Sequence, residues 1–577
     1  MKTLRGIPAS PGIALGPALI YQPPTLQVER RHIQDPGAEG ERFTQAVVRA
    51  KAAIADLQAQ ATARLGPGEA AIFEAHRLFL EDPVLLDKVR QRIAERVNAE
   101  AALLDALEGY AQALASLPDE TFRQRAADVR AVGERVLREL MPANWGPAQL
   151  GLNSPRIVVA RDLTPADTIQ MDPSQILGLV TALGGPTSHA AILARGLGIP
   201  AVMGLGEEAL AEISSSGELV LDGTEGVVLI DADAATREPY LRQRERFIAD
   251  REQHRAEALL PAQTRDGRRI EIGANVGDVE SAVEALSWGA DGIGLLRSEF
   301  LYLRSELPPS EAEQVQAYRE ITKAWGERPM VIRTLDIGAD KPLPWLRLGQ
   351  EANPFLGTRG LRLSLQYPHL LKTQLRAILR IGAGYNVKIM FPMVATIEEM
   401  REAKRILAEA RQELQREDLP IVEDLEVGIM VEVPSAALMA AELAAEADFF
   451  SLGTNDLVQY LFACDRTNPR VIDLYQPLHP AVLRLIRTTV EGARAHGRWV
   501  GLCGELAGVP EAIPILVGLG LDELSMNPPS IPQAKAIVRS LSYVEAQSLA
   551  ERALQLSSEL EVRGLIASLF PDLAQLH

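Results

Sequence analysis

A histidine set just after a glycine turn, in the first turn of a helix, can take up and hold a phosphoryl group. The run Leu183-Gly184-Gly185-Pro186-Thr187-Ser188-His189-Ala190-Ala191-Ile192-Leu193-Ala194-Arg195-Gly196 is built that way. Thr187 and Ser188 are good N-cap types, the residues from Ala190 to Arg195 are mostly strong helix formers, and Gly196 and Gly198 stop the helix before Pro200. His189 then sits beside unpaired backbone N–H groups and the positive end of the helix dipole, which disfavours imidazolium and stabilises an anion. Alone, a His-Ala-Ala step reads better as a histidine that merely caps a buried helix. The complete Gly-Gly-x-Thr-Ser-His pattern favours a nucleophile. A second constellation lies where apolar runs stop in the C-terminal half. It comprises Asn275, Arg297-Ser298-Glu299, Arg333 with Asp336, Glu432, Thr454-Asn455-Asp456 followed by Arg466, and Cys503-Gly504-Glu505. Arg297, Arg333 and Arg466 suit a small anion carrying phosphate and carboxylate, which guanidinium binds bidentately. Glu432 and Asp456 are hard oxygen donors of the kind Mg²⁺ uses. Each residue alone could be an ion-pair member; their recurrence at one strand end after another points to a site.

The elements that position these groups follow from the pattern of apolar runs. Eight of them, Ile270 to Ala274, Gly292 to Leu296, Met330 to Thr334, Val387 to Phe391, Val427 to Val433, Phe449 to Gly453, Trp499 to Cys503 and Leu521 to Met526, read as buried strands. Helical stretches such as Ser281–Ser287, Ile397–Glu413 and Ala436–Ala445 separate many of them, which predicts a (β/α)8 barrel over residues 262–577 with its chemistry at the C-terminal strand ends. Upstream, short extended pieces over residues 4–21, a strand at Pro155 to Ala160, the run entering Leu183 and two strands within Glu218 to Ile230 predict an α/β domain of residues 1–22 and 147–233. A helical subdomain, residues 23–146, is inserted into it, and an Arg- and Glu-rich helix over 234–261 links it to the barrel. The fold class is α/β.

With those residues in view, the His189 stretch resembles the phosphohistidine signature shared by Enzyme I of the sugar phosphotransferase system, phosphoenolpyruvate synthase and pyruvate phosphate dikinase. The resemblance to the Enzyme I family extends over nearly the whole chain. It is carried by Gly289 to Phe300, Arg333-Thr334-Leu335-Asp336-Ile337-Gly338, Asn353 to Arg359, Gly428 to Pro434, Gly453 to Tyr460 and Gly501 to Gly508. In the insert, Arg123 to Arg130 resembles the helix that helps dock the histidine-containing carrier protein HPr, and Phe73-Glu74-Ala75-His76 looks like the same subdomain. The resemblance implies a phosphoryl-bearing His189, phosphoenolpyruvate contacts at Arg297, Arg333, Asn455, Asp456 and Arg466, and Arg359 facing the same phosphate. It also implies Mg²⁺ at Glu432 and Asp456, a proton-donating Cys503, and homodimerisation through the barrel. If Glu505 lies close, its charge raises the Cys503 pKa; the plainer reading of Cys503 is a small core residue.

The expected function is transfer of the phosphoryl group of phosphoenolpyruvate to HPr through phosphohistidine, with a domain swing carrying His189 to the barrel rim. A synthase or dikinase needs a further nucleotide-binding domain, for which 577 residues leave no room. A non-catalytic docking scaffold has no use for the intact His189, Glu432, Asp456 and Cys503, and a plain magnesium-dependent barrel lyase leaves the His189 domain without a purpose. A net charge of −18 argues against nucleic acid or an anionic membrane as main partner. The first residues lack the apolar core of a signal peptide, no apolar run is long enough for membrane insertion, and two cysteines, Cys464 and Cys503, offer no disulfide framework; a cytoplasmic protein is expected.

Overall fold

The first 21 residues supply three strands, β1 (Lys2–Arg5), β2 (Ile7–Ser10) and β3 (Ile13–Tyr21). Five more complete one sheet: β4 (Arg156–Ala160), β5 (Ile176–Thr181), β6 (Ala201–Met203), β7 (Glu218–Asp222) and β8 (Val227–Ile230). The order is β1-β8-β7-β3-β4-β5-β6-β2. The centre, β3 to β6, is parallel, whereas β1, β8 and β7 pair antiparallel, as do β3 with β7 and β2 with β6. The computed structural model describes the chain except residues 22–27, 66–72, 74–75, 78, 116–128, 130–131, 142–153, 186–187, 214–216, 304–306, 339–342, 344, 347, 350, 467, 469 and 575–577. The chain forms two compact units, Met1–Ile248 and Ala249–Leu576.

Between Tyr21 and Arg156 the first unit runs through helices Pro36–Leu65, Pro83–Ala94 and Ala99–Ala115 and returns to a strand directly beside β3, with Tyr21 opposite Ala160. Spacings of three and four bring Phe43, Val47, Ala50, Ile54 and Leu57 onto one buried face against Val89, Ile93, Leu103 and Leu107. Asp82 accepts from Val84 N–H at 2.8 Å and Pro83 follows at the first helical position, so the second of these helices has a capped start. The docking stretch Arg123 to Arg130 lies, apart from Val129, outside the described residues. Ala234–Ala256 forms one helix with no buried residue among those described, as its charge predicts, and the boundary between the units falls within it.

In the second unit eight parallel strands close into a barrel: β9 (Glu271–Val276), β10 (Gly292–Arg297), β11 (Met330–Arg333), β12 (Val387–Phe391), β13 (Val427–Val431), β14 (Phe449–Leu452), β15 (Trp499–Leu502) and β16 (Glu523–Met526), the last pairing with β9. Residues such as Ile272, Ile293, Ile332, Ile389, Ile429, Phe450 and Leu524 join the large apolar cluster shared with the helices. Leu295, Val331, Met390, Met430, Phe449 and Cys503 form a separate cluster that fills the lumen. The floor of the lumen is aromatic. Phe449 and Trp499 stack at 4.5 Å and 4°, the Lys388 ammonium lies 4.6 Å from the Trp499 ring, and Trp499 Nε1 donates to Glu426 at 3.0 Å. Gly428 makes room for that stack, since a Cβ there would stand 2.6 Å from Phe449 ring carbons. Also buried there is Glu523, whose carboxyl is pushed up to about 7 by burial and by the Glu271 charge, with Lys388 opposing. The expected helix Ala436–Ala445 is instead two short ones, Pro434–Leu438 and Ala440–Ala444, broken at Met439.

Candidate active site

His189 opens the helix His189–Leu197, which follows β5 and its glycine turn. Ser188 is the N-cap, its hydroxyl accepting from Ala191 N–H at 3.3 Å. Thr187 lies outside the described residues. The helix runs through Gly196 and ends at Gly198, whose φ of 64° is the left-handed geometry that glycine adopts freely. Its composition follows from what it touches. Ala190, Ala191 and Ala194 pack on Val158, Leu179, Ala201 and Met203 of the sheet, where larger side chains would push the helix away, while Leu193 reaches the helical core around Phe43 and Ile54. Arg195 donates to Ala9 O at 2.7 Å and pins the helix to β2.

At the C-terminal ends of the barrel strands, two buried arginines are held among acids. Arg333, the last residue of β11, pairs with Glu299 and, at 3.0 Å, with Asp336. Arg359 donates to Asp336 at 3.0 Å and to Asp456 at 2.9 Å. Both guanidiniums stay charged: burial alone would depress them, but the facing carboxylates win and hold them above the ordinary arginine range. Glu432 is buried beside them and takes Met393 N–H at 2.6 Å. Burial pushes its carboxyl up, and the Asp336 and Asp456 charges push it further.

Arg297 ends β10 with an exposed side chain. Arg466 stands 3.8 Å from Asp456 and 4.0 Å from Glu505. Asn455 and Glu505 form a reciprocal pair, Asn455 Nδ2 donating at 2.9 Å and Glu505 N–H returning to Asn455 Oδ1 at 2.8 Å. Cys503 lies one layer deeper, and Asn275 donates to its carbonyl at 2.9 Å while accepting from Ser525 at 2.7 Å. Its thiol is pushed up to about 11 by burial. Arg333 opposes that rise, and the carboxylates that add to it are Glu432 and Glu523. Glu505, the expected neighbour, instead turns to Asn455.

The structure thus gathers Arg297, Arg333, Arg359, Glu432, Asn455, Asp456, Arg466 and Cys503 at one end of the barrel, while His189 belongs to the other compact unit. Three carboxylates, Asp336, Glu432 and Asp456, face one another with two cations between them. Asp456 Oδ1 is buried with no hydrogen-bond partner, an oxygen left for a cation. Among the described residues no three His, Cys, Asp or Glu side chains surround a single ion position. Glu432 and Asp456 are the carboxylates in this set that could hold a divalent cation, with its remaining positions left to other ligands.

The barrel unit matches the PEP-binding domain of the PEP-utilising enzymes over residues 251–543. The N-terminal and mobile domains of the same enzymes match residues 5–125 and 152–226. Phosphoenolpyruvate-protein phosphotransferases align end to end with the chain. The Bacillus sp. (strain S) protein is 44% identical over 99% of this chain and 98% of its own, the Bacillus subtilis (strain 168) protein 43% over 99% and 100%, and that of Staphylococcus carnosus (strain TM300) 42% over 98% of each. The chain belongs to the phosphoenolpyruvate-protein phosphotransferase family. In this phosphotransferase the His189 helix falls in the part matched as mobile domain and the arginine rim in the part matched as PEP-binding domain. Sequence reasoning noted Glu299 and Asp336 as polar strand ends without seeing that they clamp Arg333, and it missed Met393 and Tyr460. Met393 adopts a positive φ of 57° to present its N–H to Glu432; Tyr460, whose hydroxyl lies 3.4 Å from Arg359, closes the Arg359 side. A tyrosine one turn beyond Asp456 on the same helix was the available signal for the second; the first carries none.

Proposed function

We propose that this chain takes the phosphoryl group of phosphoenolpyruvate onto His189, passes it to HPr and releases pyruvate, the entry step of the sugar phosphotransferase system. The observation that carries the reading is the rim itself, where an exposed Arg297 and the acid-clamped Arg333 and Arg359 stand over a buried, protonated Cys503. Arg297, Arg333 and Arg466 bind the phosphate and carboxylate, and Arg359 orients Asp456 and the phosphate from the opposite side. Glu432 and Asp456 would hold Mg²⁺, which supplies positive charge against the transferring phosphoryl oxygens. The neutral His189 imidazole attacks phosphorus with a ring nitrogen lone pair; the P–O bond to the enol oxygen breaks and a P–N bond forms. The electron pair left on the enolate takes the Cys503 S–H proton at C3, giving pyruvate, and the thiolate regains a proton from water. A ring nitrogen of HPr then displaces His189 from phosphorus. Because the acceptor and the rim belong to different units, one travels to the other during the cycle.

The same reading makes the protein a homodimer through its barrel and places it in the cytoplasm. No described helix is long and apolar enough to cross a membrane. Incubation with phosphoenolpyruvate, Mg²⁺ and HPr should put acid-labile phosphate on His189 and on HPr. His189→Ala should abolish both while phosphoenolpyruvate binding persists. Labelling of HPr by the His189→Ala protein at the wild-type rate would refute the assignment.

A further inference from the structure

Gln374 stands in the middle of helix Pro368–Gly382, fully buried, on a face otherwise made of Leu371, Leu375 and Ile378. An amide at such a position costs stability unless its bonds are made, and a leucine would pack there without that cost. The Gln374 amide makes three bonds. Its Nε2 donates to Ser298 Oγ at 2.9 Å and to Tyr318 OH at 3.0 Å, and its Oε1 accepts from Leu335 N–H at 2.9 Å. Ser298 and Tyr318 are themselves fully buried.

The two loops it reaches are the exits of β10 and β11. Ser298 lies between Arg297 and Glu299, and Leu335 lies between Arg333 and Asp336. Beyond Arg333 the strand has ended, so the Leu335 N–H has left the sheet and finds its acceptor in this side chain. One rigid amide, anchored on its far side by Tyr318, therefore sets the offset between the loop carrying Arg297 and Glu299 and the loop carrying Arg333 and Asp336. Glu299 and Asp336 are the two acids that clamp Arg333. We propose that Gln374 is a positioning residue for phosphoryl transfer, holding the β10 and β11 exits in register so that Arg297 and Arg333 meet the same substrate. This rests on the rim being the phosphoenolpyruvate site.

The test is steady-state phosphoryl transfer from phosphoenolpyruvate to HPr by full-length Gln374→Met, which keeps length and apolar packing and removes all three bonds. Misplacing a clamp by about 1 Å costs on the order of 100-fold, so kcat/KM for phosphoenolpyruvate should fall about 10- to 100-fold with a raised KM. Exchange of the phosphoryl group between His189 and HPr should stay at the wild-type rate. A purely structural role lowers the folded fraction, which reduces kcat at unchanged KM and weakens exchange equally; that pattern, or wild-type kcat/KM, overturns the proposal. Ser298→Ala cuts only the rim-side bond. It should raise KM in the same direction by a smaller factor, and should Gln374→Met fail to fold, an unchanged KM in Ser298→Ala overturns the proposal by itself. Arg333→Lys in the same assay separates the two ideas: wild-type turnover there refutes the rim as the substrate site, whatever Gln374 does.

Discussion

Replacing Cys503 by alanine separates a proton donor from a core residue. The thiol is 4% exposed and packs with Leu295, Met390, Met430 and Phe449. If packing is its whole contribution, Cys503→Ala removes one sulfur from a tight cluster and costs on the order of 1 kcal/mol of stability, with turnover near normal at 25 °C. As an acid it contributes more. A thiol pushed up to about 11 is ionised in only about one molecule in 10,000 at pH 7, so nearly every enzyme molecule carries the proton. Removing a positioned general acid costs about 100- to 10,000-fold in rate, or about 3–5 kcal/mol of barrier, well above the packing loss. The assay is pyruvate release from phosphoenolpyruvate, coupled to a lactate dehydrogenase, beside exchange of phosphate between His189 and HPr. Pyruvate release should fall by at least the lower figure, and exchange, which needs no carbon protonation, should not. A Cys503→Ala enzyme that makes pyruvate at the wild-type rate, with a small loss in melting temperature, would refute the acid role and leave the packing role.

Two further outcomes follow from the charges around the lumen. The Glu523 carboxyl rises from 4.5 to about 7 on folding, so its stabilising share is full below the unfolded value and disappears as pH climbs through 7. Glu523→Gln should be more stable than the wild type above pH 7, by up to about 3 kcal/mol, with the gap narrowing toward pH 5; denaturant titrations at pH 5 and 8 that show a constant difference would count against it. Glu432→Ala and Asp456→Ala should each lose Mg²⁺-dependent formation of phosphorylated His189 by at least about 100-fold while accepting phosphate back from phospho-HPr normally; equal damage to both directions would mean that these acids hold the fold.

Much of the barrel was legible because its strands are apolar runs that stop at polar residues. Each of the eight runs matches a strand to within two residues at either end. The His189 helix was legible for a similar reason, since Ser188 and Gly198 are local signals read over a few residues. Contacts between distant segments were not. The three-residue strand Ala201–Met203 is too short to announce a period, and it exists because β5 and β2 flank it. The break at Met439 is invisible in an alanine-rich stretch with every local reason to stay helical. Glu505 follows Cys503 by two residues, yet it turns to Asn455, and the carboxylates that act on the thiol come from β16 and the end of β13. Gln374 is the clearest case. Nothing near it in the chain marks a glutamine on an outer helix as a partner of two strand ends.

The stacked rings of Phe449 and Trp499, held by Lys388 and Glu426, form a floor to the barrel lumen opposite the rim. On the proposed mechanism, substrate and product pass the mouth, and the Cys503 thiol meets the enolate from beneath. The proton added at C3 therefore comes from one side, and pyruvate made in D₂O from stereospecifically labelled phosphoenolpyruvate should carry a chiral methyl group. On the proposed mechanism the thiolate regains its proton from water after pyruvate leaves, and a solvent isotope effect on that recovery is then expected in the second turnover rather than the first.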